Sequence, residues 1–144
     1  MSTITSANSI FLLSVATLFS VPQQIEGFAA DTAWATDAVS NGKVVLGVDG
    51  KMSAGWVPHY TVMTITLQPD QSGVEIFNAW ALAEEAIREK LYADGSLTIP
   101  SINKKYVLSN GVLTSYQAIS DGLTTLSPMA FKITWESVMP SLLG

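Results

Sequence analysis

The sequence contains no cysteine, a single histidine and few charged residues. Without cysteine the chain can form no disulfide, no thiol nucleophile and no sulfur-ligated metal site. The histidine, His59, has no carboxylate beside it at metal-ligand spacing, and His-based zinc sites and Ser–His pairs both need further partners. We therefore predict a protein that is not an enzyme and that carries no metal and no cofactor.

The chain is poor in surface charge for its size. Charged residues make up 13% of it and hydrophobic residues 48%, whereas a soluble domain has about 25% charged residues. The net charge of −5 comes without any Lys- or Arg-rich run, which excludes tight binding to a phosphate backbone. Because an isolated monomer needs surface charge for solubility, we expect copies of the chain or a partner to cover much of its surface.

The 144 residues fit one domain, which we take as residues 1–144. Residues 10–21 are apolar like the core of a signal peptide, but the first basic residue is Lys43, so the basic leader region is missing. This run of 12 residues is also shorter than the roughly 20 that span a bilayer. Residues 10–18 are apolar on both faces, which predicts a strand buried between layers or at a subunit interface, with no membrane insertion.

Alternation and turn dipeptides predict most of the strands. In residues 61–68 the side chains of Met63, Ile65 and Leu67 share one face, and residues 131–136 alternate in the same way. Residues 44–46 lie between Asn41-Gly42 and Asp49-Gly50, which favours a hairpin, although a loop that orders on assembly remains an alternative. Asn110-Gly111 predicts a second hairpin.

One helix is predicted over about residues 73–93. Ser72 and Glu75 have the spacing of a capping box, and Asp94-Gly95 is a stop signal. The predicted apolar stripe consists of Ile76, Trp80, Ala83, Ile87 and Leu91. The opposite face holds Glu84, Glu85, Arg88 and Glu89, with Glu84 and Arg88 as an i,i+4 pair. The predicted fold class is mainly β (α+β), with sandwich or barrel-forming sheets and one flanking helix.

Three groups of residues that could serve catalysis or ligand binding are better explained by structural roles. Glu84, Glu85 and Glu89 lie beside Arg88 and Lys90, which indicates a solvated helix face and not acid–base catalysis. The glycines at 42, 47, 50 and 55 lack the Gly-Lys-Ser/Thr sequence of a phosphate-binding loop and fit turns instead. Trp80 and Trp135 fall on predicted core faces, whereas Trp34 and Trp56 lie in irregular segments and are candidate subunit contacts.

Residues 47–80, with Asp49-Gly50 followed by a strand and a capped helix, resemble the tail tube proteins of contractile-tailed bacteriophages. Residues 110–116 and 131–137 continue the resemblance, and residues 6–10 and 27–29 resemble the N-terminal strands of that family. Residues 57–62 and 139–144 match least well. The likeness depends on the joint order of these segments, since none of them is a catalytic fingerprint.

The resemblance implies a tail-tube-like fold in hexameric rings that stack into an inner tube, the conduit for DNA ejection. It implies tail sheath, baseplate and tail terminator proteins as partners, and a virion location after synthesis in the host bacterial cytoplasm. Six copies at −5 would give each ring about −30, so we hypothesise an acidic lumen through which DNA passes without specific binding. The predicted assembly-interface residues are Trp34, Val44, Leu46, Asp49, Lys51, Met52, Trp56, Phe11 and Leu13.

Two other functions are compatible with the sequence. A tube protein of a phage-derived contractile particle or secretion apparatus would share the fold without the DNA cargo. A small baseplate or host-recognition module would form a discrete oligomer instead of a tube. An enzyme would require a pocket with two convergent ionisable groups, which no motif in the sequence indicates.

Overall fold

The computed structural model describes residues 9–25, 28, 34–70, 72–119, 121–122 and 124–142. Within them the chain is mainly β with one α-helix, which confirms the predicted fold class. The N-terminal segment 6–8 and residues 26–27 and 29–33, on which part of the tube resemblance depends, lie outside the described residues. The elements are β1 (Ile10–Val15), β2 (Phe19–Ile25), β3 (Trp34–Thr36), β4 (Gly42–Leu46), β5 (Met52–Trp56), β6 (Thr61–Leu67), α1 (Ser72–Ile87), β7 (Ala93–Ile99), β8 (Lys104–Tyr116) and β9 (Met129–Leu142), with a 3₁₀ turn at Pro100–Ile102.

Seven strands form one antiparallel sheet in the order β2-β1-β7-β8-β9-β6-β3. The sheet curls on itself, because Phe28, which follows the edge strand β2, forms a β-bridge with Leu67 of β6 near the other edge. Trp34 of β3 and Leu97 of β7 line the same cavity, although three strands separate β3 from β7 in the sheet. The sheet is therefore an incomplete barrel, and its inner face holds the core.

The alternation predicted for two central strands is confirmed. In β6 the side chains of Met63, Ile65 and Leu67 are buried, and the residues between them are half-buried. In β9, Phe131, Ile133 and Trp135 are fully buried, and the register pairs Met63 with Ile133 and Ile65 with Phe131. Side chains that are paired across neighbouring strands point to the same face, so these residues form one continuous patch of core.

Helix α1 packs against this core through a stripe that differs from the predicted one. Phe77 stacks on Phe131 with ring centroids 4.6 Å apart, and Trp80 is fully buried as predicted. However, Ile87 is 52% exposed, and the buried residues are Gly73, Val74, Phe77, Trp80, Ala81 and Glu84. Of the other predicted stripe residues, Ile76 and Ala83 are half-buried, and Leu91 lies beyond the end of the helix.

The helix begins at Ser72, close to the predicted start, but it ends at Ile87 and not near residue 93. Arg88 adopts a left-handed conformation with φ of 56°, which stops the helix, and Arg88 N–H donates to Glu84 O at 2.7 Å. Asp94 and Gly95 lie inside β7. The predicted stop signal at Asp94-Gly95 is therefore wrong.

The hairpin predicted at Asn110-Gly111 is also wrong, because β8 runs through it as one strand of 13 residues. Asn110 has φ of 51° and forms a bulge opposite β7, where Ala93 pairs with Gly111 and Gly95 pairs with Leu108. Its backbone N–H donates to Asp94 Oδ1 at 3.2 Å, and its side-chain amide donates to Glu136 Oε2 at 2.6 Å. Both neighbouring strands thus hold Asn110 in a conformation that a turn would also use.

Gly111 leaves room for the largest buried side chain of β9. A Cβ atom at Gly111 would lie 2.5 Å from both Cε3 and Cζ3 of Trp135, and one at Gly95 would lie 3.4 Å from its Cη2. Carbon atoms in contact normally stand about 3.5–4.0 Å apart. The two glycines therefore make the space in which the indole ring packs.

Candidate assembly interface

Strands β4 and β5 form a separate two-stranded antiparallel ribbon outside the seven-stranded sheet. The register is regular from Gly42–Trp56 at the base to Leu46–Met52 at the far end, and every residue of both strands is exposed. This confirms the hairpin predicted around Asp49-Gly50. At its base, Val57 N–H donates to Asn41 O at 3.0 Å, and Trp56 contacts His59 edge to face, with ring centroids 5.9 Å apart.

The register makes the ribbon amphipathic. Paired residues share a face and successive residues alternate, so the pairs Gly42–Trp56, Val44–Ala54 and Leu46–Met52 lie on one side. We call this the apolar face of the ribbon. Lys43, Val45, Ser53 and Gly55 lie on the other side. The predicted residues Val44, Leu46, Met52 and Trp56 are therefore brought together on one surface.

None of the described residues covers the apolar face. Its large side chains are strongly exposed: Val44 58%, Leu46 70%, Met52 67% and Trp56 71%. An isolated two-stranded hairpin is only marginally stable in water, and contiguous apolar surface on a soluble protein marks an interaction site. The geometry of the ribbon thus favours a second protein surface against this face.

Asp49 and Lys51, predicted as interface residues, help to form the turn at the end of the ribbon. Lys51 N–H donates to Asp49 Oδ1 at 3.1 Å, and Gly47 N–H donates to Lys51 O at 2.8 Å. Gly50 takes φ of +84°, which a side chain would disfavour. Val48 at the tip is fully exposed, and the sequence analysis missed it. Val48 lies between Gly47 and Asp49, beyond the last strand pair. This position in the turn is the signal that predicts an exposed side chain.

The prediction that Phe11 and Leu13 contact a neighbouring subunit is wrong. Strand β1 lies between β2 and β7, and both side chains have 0% exposure in the core of their own chain. In contrast, Leu12 and Ser14 on the other face are half-buried, and Ile10 is 38% exposed. The apolar run was interpreted as apolar on both faces, but only one face of β1 is fully buried.

Trp34 is half-buried on the edge strand β3. Its ring contacts Phe28 edge to face at 6.0 Å, and the side chain lines a cavity of about 250 Å³ whose other walls come from β6, β7, β8 and β9. Trp34 packs against the core, whereas Trp56 lies on the exposed ribbon. The structure therefore places the two tryptophans on different surfaces. Trp34 remains accessible at the mouth of this cavity, which we call the mouth pocket.

Glu84, predicted on a solvated helix face, is only 8% exposed. Its Oε1 accepts from Lys90 Nζ at 3.2 Å and its Oε2 accepts from the Leu91 backbone N–H at 2.8 Å. Lys90 Nζ also donates to Leu113 O at 2.9 Å. The expected pairing of Glu84 with Arg88 is therefore replaced by one with Lys90, which ties the end of α1 to β8.

We expect Glu84→Ala to lower the free energy of unfolding by about 1–3 kcal/mol, because the Leu91 N–H loses its acceptor and Lys90 its partner. Urea denaturation followed by circular dichroism would measure the change. Glu85→Ala is the matched control, since Glu85 is exposed and its loss should change stability by about 0.5 kcal/mol or less. Equal effects of the two variants would contradict a structural role for Glu84.

Neither a metal cluster nor a spanning helix is found in the described part of the chain. No group of three or more His, Asp or Glu side chains there is placed to hold a metal ion. None of the helices there is long and apolar enough to cross a membrane. His59 lies beside Trp56 at the base of the ribbon and lines a shallow cavity with Asp37 and Tyr60.

The family model described as tail fiber protein gp32 matches residues 2–139. The chain belongs to this family. The match includes the curled sheet, the ribbon and the helix. No functionally curated protein matches the sequence significantly.

Solved structures similar to this gp32-family chain come from phage-like contractile injection systems. A chain of the anti-feeding prophage baseplate, 6-fold symmetrised, matches with a TM-score of 0.62 and 15% identity over 99% of both chains. A chain of the PVC sheath-tube complex in the extended state matches at 0.60 and 17% identity, over 92% of this chain and 88% of that one. A chain of the PVC sheath/tube terminator matches at 0.60 and 13% identity, over 91% and 92%. At these identities the likeness shows a shared fold.

Proposed function

We propose that this chain is the subunit of an inner tail tube, which assembles through its ribbon into stacked rings. The observation that carries the proposal is the apolar face of the ribbon, which is regular in structure and strongly exposed in the described part of the chain. The shortage of charge in the whole sequence supports it, since a surface with 13% charged residues suits a protein that is surrounded by its own copies.

Burial of the apolar face would favour association. Full burial of one large aliphatic or aromatic side chain stabilises a contact by about 1.5–3 kcal/mol, and the ribbon offers Val44, Leu46, Met52 and Trp56. Part of this gain offsets the entropy that association costs. Several such contacts per subunit would nevertheless hold a ring or tube together.

The shape of the ribbon predicts the kind of assembly. If the ribbon binds a different surface on the next copy and that copy passes its own ribbon onward, the contact is heterologous, and repeated heterologous contacts produce closed rings or open helical filaments. Stacked rings of six are the arrangement that the tail-tube resemblance implies. The 6-fold symmetry stated for the anti-feeding prophage baseplate supports this number.

In this role the protein would belong to a phage tail or virion. Its partners would be sheath, baseplate and terminator proteins, and DNA would pass through the lumen without specific binding. The net charge of −5 per subunit supports passage by repulsion. A tube in a phage-derived particle would have the same contacts between subunits with another cargo, and a baseplate module would use the same fold in a discrete oligomer.

Negative-stain electron microscopy of the purified protein over a concentration series tests the proposal. We expect rings at low concentration and tubes of constant diameter at high concentration, because the ribbon contact repeats from copy to copy. Particles that keep one fixed subunit number at all concentrations would favour the baseplate module and contradict the tube.

A further inference from the structure

The two ends of the seven-stranded sheet carry different parts of the chain. Neighbouring strands are antiparallel, so the start of β6, the end of β9 and the start of β8 lie at one end of the sheet. The chain passes from the ribbon into β6 at Thr61, and Lys104 begins β8, so we call this the ribbon end. Helix α1 joins the end of β6 to the start of β7, and its Phe77 stacks on Phe131 near the start of β9. The helix therefore lies at the opposite end, which we call the helix end.

The described charged residues are distributed unequally between these two ends. The ribbon end has more cations than carboxylates: Lys43, Lys51, Lys104 and Lys105, against Asp37 and Asp49. The helix end has more carboxylates than cations: Asp70, Glu75, Glu84, Glu85, Glu89 and Asp121, against Arg88 and Lys90. Two copies that meet through unlike ends therefore bring opposite charges together, whereas two like ends repel each other.

Several of these charges are available to another chain. At the helix end Glu84 is paired with Lys90, but Glu85 and Glu89 are exposed and form no ion pair with any other described residue. At the ribbon end Lys51 and Lys104 are also exposed and form no ion pair within the same part of the chain. Contact between the two ends would thus pair charges that are unpaired in the single subunit.

The exposed face of α1 also has an apolar centre. Leu82 is 72% exposed, and the exposed residues Asn78 and Glu85 lie about one turn before and after it on the same face. The 16-residue helix is about 24 Å long and the five-residue strands of the ribbon are about 17 Å long, so the ribbon can lie along most of the helix. An apolar centre within a polar rim is the usual anatomy of a protein interface.

We propose that the ribbon of one copy docks on the exposed face of α1 of the next copy. The last apolar pair of the ribbon, Leu46 and Met52, contacts Leu82, and the lysines of the ribbon end face Glu85 and Glu89. This inference rests on the proposed function and names the surface that the ribbon binds. Because the two surfaces lie at opposite ends of the subunit, the contact repeats head to tail from copy to copy.

A reciprocal charge swap tests the inference. The ribbon-end variant is Lys51→Glu/Lys104→Glu, and the helix-end variant is Glu85→Lys/Glu89→Lys. All four side chains are exposed, so circular dichroism should show folded subunits. Each variant alone places like charges across the contact, and we expect it to need at least about ten times the wild-type protein concentration for assembly, measured by sedimentation. An equimolar mixture of the two variants, and the quadruple variant with all four changes, should assemble near the wild-type concentration because unlike charges meet again.

The same set of variants controls for net charge. Each Glu→Lys exchange raises the net charge of −5 by two, so two exchanges bring the helix-end variant to −1. If overall repulsion alone governed assembly, this variant would assemble more readily than the wild type, and that result would overturn the inference. Failure of the mixture or of the quadruple variant would overturn it as well. If the wild-type chain forms tubes but the swaps do not restore assembly, the ribbon binds elsewhere and the proposed function stands; if the wild type forms neither rings nor tubes, both fail.

Leu82→Ala tests the apolar part of the contact without a change of charge. Because Leu82 is 72% exposed, its truncation should leave the free energy of unfolding of the subunit nearly unchanged. Loss of its burial in the assembly should raise the protein concentration needed for assembly at least about tenfold. Assembly of this variant at the wild-type concentration would contradict the inference.

Discussion

Leu46→Glu should abolish tube formation while the subunit remains folded. Leu46 is 70% exposed and lies at the far end of the apolar face, so the single chain loses little when it is replaced. In the assembly the same position would bury a carboxylate in an apolar contact, which costs several kcal/mol unless the charge is paired. We expect the concentration needed for assembly to rise at least about 100-fold, measured by sedimentation and electron microscopy.

Val45→Glu is the matched control for Leu46→Glu. The two residues are neighbours in β4 and carry the same new charge, but Val45 is on the opposite face of the ribbon, paired with Ser53. We expect this variant to assemble with at most a small change. If both variants assemble like the wild type, or if both fail, the two faces are equivalent and the role given to the apolar face is wrong.

Gly111→Ala should destabilise the subunit by about 3 kcal/mol. The new methyl group would lie 2.5 Å from two ring carbons of Trp135, which is fully buried and also lies close to Gly95. Because the added methyl group overlaps the ring, either the ring must move toward the cavity that it lines or the strands must shift, and overpacking of a core costs about 1–3 kcal/mol. Chemical denaturation followed by circular dichroism would measure the loss.

Two variants serve as controls for Gly111→Ala. Gly55→Ala adds a methyl group where no atom lies within 4 Å, so it should leave the free energy of unfolding nearly unchanged. The double variant Gly111→Ala/Trp135→Phe should be less destabilised than the sum of its parts, because the smaller ring relieves the contact. Additive losses in the double variant would show that the clash with Trp135 is not the cause.

Patterns that depend on neighbours in sequence predicted much of the fold. Alternation in β6 and β9 follows from burial of one sheet face, so Met63 and Ile133 could be assigned to the core without knowledge of their partners. The ribbon was predictable because its turn is local: Asp49 and Gly50 supply the turn hydrogen bond and the positive φ. Four of the predicted contact residues consequently fall on one face.

Features that depend on distant partners were not predictable. Asn110-Gly111 has the same local preference as a hairpin turn, but Asp94 and Glu136 from two other strands hold it as a bulge. The helix ends at Ile87, and the left-handed turn at Arg88 brings the Leu91 N–H back to Glu84 Oε2. The mouth pocket forms because the curled sheet brings β3 close to β7. No local sequence pattern predicts that these two strands lie close together.

The likeness to injection-system proteins shows the fold, whereas the exposed apolar face of the ribbon supports the proposed role. Similar folds occur in a baseplate chain and in a sheath-tube complex, at 15% and 17% identity. Because the fold is shared among these parts, it does not choose between a tube and a baseplate role. A tube requires the contact of the apolar face to repeat from copy to copy. That contact therefore distinguishes a tube from a baseplate module.

A cryo-EM reconstruction of the assembled protein tests the central claim most directly, because it shows what lies against the apolar face of the ribbon. We predict that Leu46, Met52 and Trp56, each about 70% exposed in the single chain, are buried against another copy at every subunit. A reconstruction in which these three side chains remain in solvent, with the copies joined through other surfaces, would contradict the account.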